Sequence, residues 1–257
     1  MPNTALITGA SSGIGREFAR YHATRGGDLI ITARRAEALE DLKSELETAH
    51  DITVTTIAQD LGSAENARAL YAALNGARVD VLINNAGFGG HGKFLDRALD
   101  DDLAMIDLNV NALVTLTHLI GNDMVKQGGG KILNVSSTAS YMPGPLQATY
   151  FATKAFVSSF SVALSEELRD SGVTVTALEP GGVETEFFET ANLTGTKLGG
   201  SKATAASVAK VGYDAMIAGK YNVINDRKLG FMINWLMPFM PTKMKLKMIR
   251  DMQTKQG

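Results

Sequence analysis

Short apolar runs alternate along the chain with longer segments of helical periodicity. The runs read ALIT, DLIITA, TVTTIAQ, VDVLINNA, KILNVSS, VTVTALEP and YNVI. Most of them are apolar at consecutive positions and not at every second one, which is typical of strands buried on both faces of a parallel sheet. The pattern predicts a doubly wound α/β fold with about seven parallel strands and helices on both faces.

The same pattern indicates a single domain. No linker or internal repeat divides residues 1–257, and this length suffices for one α/β domain with a sizeable core. Residues 187–204 are rich in Gly, Thr and Lys and lack periodic apolar positions. Because they follow a predicted strand end on the ligand side, we interpret them as a substrate lid; a long surface loop is the alternative.

Composition excludes several classes of function. The chain has no cysteine, which excludes disulfides, thiolate metal sites and cysteine nucleophiles, and its formal net charge of −2 argues against a nucleic-acid surface. His22, His50, His91 and His118 lie far apart without metal-ligand spacing, so we interpret them as structural or surface residues and expect no metal. No signal peptide or run of about 18 apolar residues is evident, so the expected location is the cytoplasm.

A glycine-rich loop, TGASSGIG, follows the first apolar run. Gly9, Gly13 and Gly15 lie between a predicted strand and a predicted helix, where backbone N–H groups could receive a phosphate. The spacing is neither that of a P-loop nor GxGxxG. By itself the loop fits nucleotide binding and a simple tight turn equally well.

The end of the second apolar run favours a phosphorylated cofactor. Arg34 and Arg35 follow about twenty residues after the glycine loop, where an enzyme using the unphosphorylated dinucleotide usually carries an acid for the ribose. A guanidinium suits a 2′-phosphate, so we predict a preference for NADP(H) over NAD(H). The alternative is that both arginines are solvated residues at a helix start.

Tyr150 and Lys154 lie four residues apart in a segment of helical periodicity, so their side chains share a helix face. An ammonium about 4 Å from the phenol, at an effective dielectric of about 20, is worth on the order of 4 kcal/mol, or about three pKa units. We expect this to bring the pKa of the phenol near neutral pH, as a general acid or base requires. The alternative is a pair on a solvated helix face.

Six motifs in one order resemble the short-chain dehydrogenase/reductase superfamily, in its single-domain branch. They are TGxxxGxG, NNAG at 84–87, Asn109, Ser137 thirteen residues before the tyrosine, YxxxK, and EPGGVET, and they span about residues 4 to 190. The resemblance implies a Rossmann-type fold, a nicotinamide cofactor and hydride transfer between a carbonyl and an alcohol.

The resemblance also implies roles for four catalytic residues. Tyr150 would pass a proton to or from the substrate oxygen, and Ser137, which the spacing selects over Ser136, would hold that oxygen and stabilise charge developing on it. Lys154 would bind the nicotinamide ribose and lower the pKa of the phenol. Asn109 would hold a water that links the lysine to solvent.

Further residues are implied to bind the cofactor, from its phosphates and adenine to its nicotinamide. They are Gly9, Ser11, Ser12, Gly13, Ile14, Gly15, Arg34, Arg35, Asp60, Leu61, Asn85, Ala86, Gly87, Tyr150, Lys154, Pro180, Gly181, Val183 and Thr185. Asn84 is expected to tie adjacent strands together instead of touching the cofactor.

The residues expected to face the substrate are mostly apolar. They are Phe88, Gly89, Met142, Pro143, Gln147, Phe187 and Phe188. Such a lining suggests a hydrophobic ketone or alcohol and not a sugar. Aromatic residues at these positions could equally be packed under a lid.

The C-terminal segment, residues 231–257, combines apolar and basic side chains. It contains Trp235, Leu236, Phe239 and several methionines together with Lys243, Lys245, Lys247 and Arg250. It resembles the tails of relatives that act on steroids and long-chain acyl or retinoid-type substrates, where this region closes the pocket or touches a membrane surface. We favour a helix packed in the core or in a dimer; weak contact with a lipid surface is the alternative.

Together these patterns predict an NADP(H)-dependent carbonyl reductase or alcohol dehydrogenase, which the resemblance implies is a homodimer or homotetramer. The rival is a protein of the same fold that binds NADP(H) for regulation or as a scaffold. The presence of Ser137 and Tyr150 favours the enzyme, since a protein that only binds the cofactor needs neither.

Overall fold

The computed structural model describes residues 3–197 and 203–255. The strands in these residues are β1 (Thr4–Thr8), β2 (Asp28–Ala33), β3 (Val54–Ala58), β4 (Val81–Asn84), β5 (Gly130–Val135), β6 (Val173–Leu178), β7 (Val183–Glu184), β8 (Ala203–Thr204) and β9 (Asn222–Val223). The helices are α1 (Gly13–Ala23), α2 (Ala36–Ala49), α3 (Ala64–Ala73), α4 (Leu99–Ile106), α5 (Leu113–Lys126), α6 (Ala148–Glu167), α7 (Phe187–Thr190), α8 (Ala205–Ile217), α9 (Arg227–Phe231) and α10 (Thr242–Gln253).

Seven of the strands form one parallel sheet in the order β3-β2-β1-β4-β5-β6-β9, which confirms the predicted doubly wound fold. The register places Thr4 opposite Asp28 between β1 and β2. β7 and β8 pair separately, with Val183 opposite Ala203.

Burial on both faces of the sheet explains the consecutive apolar residues of its strands. In β1, Ala5 and Ile7 belong to one core cluster, whereas Leu6 between them belongs to the other. Successive side chains of a strand point to opposite faces, so a strand covered on both sides needs apolar residues at every position. Helices α1, α2 and α8 contribute to the first cluster, and α3 and α5 contribute to the second.

The strand order reverses between β1 and β4, which are neighbours in the sheet but not in the chain. In open parallel sheets such a reversal opens a crevice at the carboxyl ends of the strands, where ligands bind. The loops that follow β1, β4, β5 and β6 all leave the sheet at this edge. They carry most of the predicted site residues.

Helices α4 and α5 are joined by a π-helical turn, Asp107–Ala112, into one continuous stretch, Leu99–Lys126. By length and composition this stretch could cross a membrane, and it is the one such helix in the described residues. The sequence pattern predicted none, because polar residues interrupt its apolar positions. The same test is passed by core helices of soluble proteins, and Leu116 and Ile120 of this stretch are buried in the second core cluster.

One of the predicted structural histidines lies wholly inside the protein. His22 Nδ1 is 2.8 Å from the hydroxyl oxygen of Tyr213, and its Nε2 is 3.1 Å from the carbonyl oxygen of Asn3. Burial lowers the pKa of His22, so the ring is neutral at physiological pH. It therefore links α1 to α8 and to the residue before β1.

Candidate active site

The four predicted catalytic residues come together beside the carboxyl ends of β4 and β5. Helix α6 carries Tyr150 and Lys154 one turn apart, and the lysine Nζ lies 5.9 Å from the centre of the tyrosine ring. Ser137 follows β5, and its side chain lies close enough to the Tyr150 hydroxyl to lower the pKa of the phenol. The Ser137 hydroxyl donates to the Pro180 carbonyl oxygen over 3.4 Å. Asn109, in the π-helical turn, donates from Nδ2 to Thr153 Oγ1 of α6 over 3.1 Å.

Ser137 is placed by the turn that follows β5. Its extended backbone caps a 3₁₀ turn, Thr138–Tyr141, and its Oγ accepts a hydrogen bond from the Ala139 N–H over 3.1 Å. Ser136 points elsewhere, since its hydroxyl donates to the Lys154 carbonyl oxygen over 2.8 Å inside the protein. Ser137 is thus the serine next to the tyrosine, as the spacing predicted.

The pKa of Tyr150 differs in direction from the expectation. Burial raises it to about 12, and the hydrogen bond with Ser137 opposes this increase. Burial also lowers the pKa of Lys154 to about 8. The lysine Nζ donates a hydrogen bond to the Val135 carbonyl oxygen over 2.9 Å. Its ammonium therefore interacts with that carbonyl and not with the phenol hydroxyl. Burial therefore outweighs the predicted effect of the lysine on the pKa of the phenol.

Asn109 holds the loop after β4. Its Oδ1 accepts from the Phe88 N–H over 3.1 Å, and its Nδ2 donates to the Phe88 carbonyl oxygen over 3.0 Å. The site is narrow here, because a Cβ at Gly87 would lie 2.8 Å from Asn109 Oδ1 and 3.5 Å from Lys154 Nζ. Single π-helical turns are frequent at functional sites, and Asn109 lies in this one.

The loop after β1 has the shape of a phosphate cradle. Gly9 and Gly13 have φ angles of +67° and +55°, a region that favours glycine. A Cβ at Gly9 would lie 2.9 Å from Ala86 Cα, and one at Gly15 would lie 2.3 Å from the Gly9 carbonyl oxygen. The helix N-terminus of α1 follows, with Ser12 as its cap residue. These residues fit a dinucleotide pyrophosphate, which needs close approach to the backbone and to a helix N-terminus.

The NNAG segment is tied to this cradle. Asn85 Nδ2 donates to the carbonyl oxygens of Thr8 and Gly9 over 3.0 and 3.2 Å, and the Ala86 N–H donates to Thr8 Oγ1 over 3.0 Å. Asn84 instead bridges strands, since its Nδ2 donates to Asn134 Oδ1 over 2.9 Å. This matches the role predicted for Asn84.

Two predicted adenine-end residues differ in their contacts. Arg35 reaches Ser11 Oγ over 3.3 Å and pairs with Glu186 over 3.2 Å, whereas the exposed Arg34 makes no hydrogen bond or ion pair with the described residues. Asp60 Oδ1 accepts from the Gly62 N–H over 3.1 Å, and Leu61 is buried. The Arg35 guanidinium thus lies beside Ser11 of the glycine loop, and Arg34 is exposed at the end of β2.

The predicted PGxVxT turn faces the cradle across the crevice. A Cβ at Gly13 would lie 3.2 Å from Thr185 Cγ2. The Gly181 N–H donates to Asn225 Oδ1 over 3.1 Å, and the Pro180 carbonyl oxygen accepts from the Thr138 N–H over 2.9 Å. The turn is therefore held between the catalytic serine turn and the glycine loop.

The predicted substrate side is apolar around the tyrosine. The ring of Phe187 lies 5.4 Å from that of Tyr150, and Phe88, Met142 and Phe187 pack on a cluster that contains the tyrosine. Gln147 is buried, with Nε2 3.5 Å from the Gly90 carbonyl oxygen. Of the predicted lid, residues 187–204, the structure describes all but residues 198–202, which lie outside the described part of the chain. Leu193 of the lid is buried.

Residue spacing alone did not place α10 beside Tyr150. Ile249 is buried in the Tyr150 cluster, and Met248 and Met252 pack against it. The Gln253 carbonyl oxygen lies 2.8 Å from His91 Nε2, which joins the helix to the loop after β4. The amphipathic pattern of residues 242–253 predicts a helix, but no residue pattern in this segment predicts its contact with the Tyr150 cluster.

Glu179, the first residue of EPGGVET, was also missed. It is buried, and burial raises its pKa. Its carboxylate accepts from Ser158 Oγ over 2.7 Å, from Tyr141 Oη over 2.5 Å and from Asn222 Nδ2 over 3.1 Å. It thus joins α6, the serine turn and β9, all of which border the site.

Fold and site together define a class, the α/β oxidoreductases that use a nicotinamide dinucleotide. A family model described as short chain dehydrogenase matches residues 3–196. The chain belongs to this short-chain dehydrogenase/reductase family.

Individual relatives show the breadth of the family. The chain is 40% identical over 190 residues to serine 3-dehydrogenase of Agrobacterium fabrum. The matched region covers 73% of this chain and 74% of that protein. It is 42% identical over 193 residues to sulfoacetaldehyde reductase of Chromohalobacter salexigens, over 73% and 75% of the two chains. A short-chain dehydrogenase from Sphingobium yanoikuyae, solved in complex with NADPH, superimposes with a TM-score of 0.85 and 28% identity, covering 100% of this chain and 98% of that one.

Proposed function

We propose that the protein is an NADP(H)-dependent oxidoreductase that interconverts a hydrophobic ketone and the corresponding secondary alcohol. The observation that carries the proposal is the position of Tyr150. Its hydroxyl lies near the Ser137 side chain, and its ring is packed among apolar side chains. A carbonyl oxygen placed between these two hydroxyls would accept two hydrogen bonds, and its apolar substituents would contact the surrounding cluster. The bound nicotinamide would supply or accept the hydride.

Each side chain then has a defined task. A phenol with a pKa of about 12 is protonated at neutral pH, so Tyr150 is ready to donate its proton to the oxygen of a ketone that is being reduced. The Ser137 hydroxyl would stabilise the negative charge that develops on that oxygen. Lys154 has two further N–H donors beyond the one that binds Val135, and these would bind the ribose hydroxyls.

The proposed preference for NADP(H) rests on Arg35, whose side chain reaches Ser11 of the glycine loop, and on the exposed Arg34 next to it in the chain. A charge-assisted hydrogen bond contributes about 1.5 to 3 kcal/mol, or roughly 10- to 150-fold in affinity. We expect the double variant Arg34→Ala/Arg35→Ala to bind NADPH about 100-fold more weakly and NADH within about threefold of the parent. Isothermal titration with each cofactor measures this.

Arg68 provides the matched control for this measurement, because it is an exposed arginine on α3, away from the crevice. The Arg68→Ala variant should bind both cofactors as the parent does. Equal weakening of NADPH and NADH in the double variant would contradict a 2′-phosphate contact.

Substrate polarity is the second part of the proposal. The two named relatives handle serine and sulfoacetaldehyde, which are small and charged. Near the loop after β4, the cation Arg97 is neutralised by Asp102 over 3.1 Å, and both side chains are largely buried. An anionic substrate group would therefore find this arginine already paired, which favours an uncharged, apolar substrate.

Oxidation of NADPH tests this directly. We expect pooled aryl, long-chain aliphatic and steroid ketones to contain a substrate whose kcat/KM exceeds that of sulfoacetaldehyde by about 100-fold or more, since each buried methylene contributes about 0.8 kcal/mol. NADP⁺ reduction with serine is the second polar comparison. Faster turnover of either polar compound would overturn the hydrophobic assignment. Tight NADPH binding without turnover on any pool would favour the regulatory or scaffold alternative.

Self-association is part of the proposed function. Large apolar side chains are exposed on α4 and α6, among them Leu99, Leu103, Phe156 and Val162. Such a surface is more typical of an interface than of a monomer. It supports the predicted homodimer or homotetramer.

A further inference from the structure

The C-terminal segment presents apolar side chains outward. We call the C-terminal face the set of Phe231, Met232, Trp235, Leu236, Phe239 and Met244, which are all exposed. Trp235 is 65% exposed and Phe239 is 85% exposed, although both are among the side chains that gain most from burial. The sequence favoured a segment packed in the core or in a dimer; within this chain Ile233, Met237 and Ile249 pack in the protein, and the C-terminal face does not.

The exposure is a consequence of how the segment is anchored. Ile233 and Met237, four residues apart, are both buried, so this side of the segment is held by the protein. Ile249 anchors α10 in the same way, in the cluster around Tyr150. With one side fixed, the exposed side chains of the C-terminal face point away from the protein. The C-terminal face is thus fixed in place by buried residues of the same segment.

Basic residues flank the C-terminal face along the chain. Residues 226–255 contain seven Lys and Arg but only two Asp, in a chain whose formal net charge is −2. Arg227, Lys228, Lys243 and Lys247 are exposed on the same short helices. Of the two acids, Asp226 is engaged as the cap of α9, where it accepts from the Lys228 and Leu229 N–H groups. The surface therefore combines aromatic and aliphatic side chains with a strong local positive charge.

We propose that the C-terminal face binds the surface of an anionic lipid bilayer, lying in the interface without spanning it. Helices with one apolar side and a lysine-rich rim enter the boundary between headgroups and acyl chains in this way. Tryptophan is favoured there because its ring is apolar while its N–H stays hydrated.

Charge decides between a bilayer and a second copy of the chain. Two copies that met through this face about a two-fold axis would bring the same lysines and arginines together, and like charges at an interface oppose association. An anionic bilayer neutralises them instead, and it attracts each basic side chain near its surface. The proposal therefore commits to anionic lipid.

Binding at this face has a consequence for the candidate site. Helix α10 reaches from the C-terminal face at Met244 to the Tyr150 cluster at Ile249. If the proposed function is right, a docked molecule holds its apolar site beside the lipid, from which a hydrophobic ketone could be taken up. The lipid contact itself is independent of catalysis.

The tryptophan provides a direct test, because Trp235 is the sole tryptophan of the chain. Vesicles of equal parts phosphatidylglycerol and phosphatidylcholine should shift its fluorescence emission to shorter wavelength and sediment the protein. Vesicles of phosphatidylcholine alone should do so much less, and 0.5 M salt should weaken the anionic binding because it screens the charges.

Two variants separate the contributions to binding. Lys243→Gln/Lys247→Gln should weaken vesicle binding about 25-fold, since each basic residue near an anionic surface contributes about fivefold. Lys93→Gln/Lys220→Gln, which changes two exposed lysines elsewhere, should bind as the parent does. Leu236→Ser/Phe239→Ser keeps the tryptophan and should abolish most of the wavelength shift.

Other outcomes would overturn the proposal. An emission unchanged by anionic vesicles, with no sedimentation, would show that the face does not bind lipid. A shift that grows with protein concentration in the absence of vesicles would assign the face to a protein contact. Because the readout involves no turnover, the Tyr150→Phe variant should bind vesicles normally, so failure of the lipid proposal and failure of the enzymatic one are distinguishable.

Discussion

Replacement of Tyr150 with phenylalanine is expected to lower kcat about 1,000-fold for any ketone that the protein reduces with NADPH. General acid catalysis by a positioned side chain contributes about 10²- to 10⁴-fold, and the phenol is the acid nearest to Ser137. The variant removes one oxygen and keeps the ring that packs against Phe187. NADPH binding should therefore stay within about twofold, and the free energy of unfolding within about 1 kcal/mol.

Steady-state kinetics and titration with NADPH check both halves of this expectation. Tyr221→Phe is the matched control, since Tyr221 is more than half exposed and should tolerate the change without effect. Retention of more than a tenth of the parental kcat by Tyr150→Phe would remove the tyrosine from the proposed proton transfer. A parallel loss of NADPH affinity would instead indicate a structural role for the hydroxyl.

Replacement of Lys154 with methionine is expected to abolish turnover and to stabilise the fold. Burial lowers the pKa of Lys154 from 10.5 to about 8, so the protonated side chain disfavours the folded state by roughly 3 kcal/mol. Methionine fills a similar volume without a charge. After loss of the hydrogen bond to Val135, worth about 1 kcal/mol, the gain at pH 7 should be roughly 2 kcal/mol.

The stability difference between Lys154→Met and the parent should depend on pH. The pKa of Lys154 is lower in the folded chain than in the unfolded one. The free-energy cost of burying the protonated lysine is therefore absent above pH 10.5 and rises to its full value as the pH falls to about 8. The stability advantage of Lys154→Met should therefore be constant below about pH 8 and should diminish towards pH 10.5. Urea unfolding of both proteins between pH 7 and 10.5 measures it.

Lys93→Met, a change at an exposed position, should show no such trend and is the control. A Lys154→Met protein less stable than the parent at pH 7 would mean that the lysine is a net stabilising residue. Full activity in the variant would exclude Lys154 from ribose binding and from catalysis.

The residues of local motifs were the most predictable part of the site. Apolar runs at consecutive positions predicted the parallel sheet, because strands covered on both faces leave no polar side. The spacing of Tyr150 and Lys154 predicted a shared helix face, because helical geometry is local. The family resemblance assigned Ser137, thirteen residues before the tyrosine, and in the structure its side chain lies near the Tyr150 hydroxyl.

The electrostatics of that site were less predictable. The sequence predicted that the ammonium of Lys154 lowers the pKa of the phenol, but the lysine Nζ donates to the Val135 carbonyl oxygen and lies 5.9 Å from the centre of the tyrosine ring. Burial of both groups then determines the direction of their pKa shifts. Neither the degree of burial nor the competing carbonyl can be obtained from residue spacing.

The sequence by itself determined the doubly wound sheet, the glycine loop after its first strand and the shared helix face of Tyr150 and Lys154, since each follows from local periodicity or short spacing; the serine beside them came from the family resemblance. Only the tertiary structure decided which distant residues meet them. Glu179 joins three elements at the edge of the site, Ile249 packs beside Tyr150, and Trp235 points outward despite its hydrophobicity. Such contacts depend on how helices and loops far apart in the chain share the remaining surface, and no local pattern encodes that.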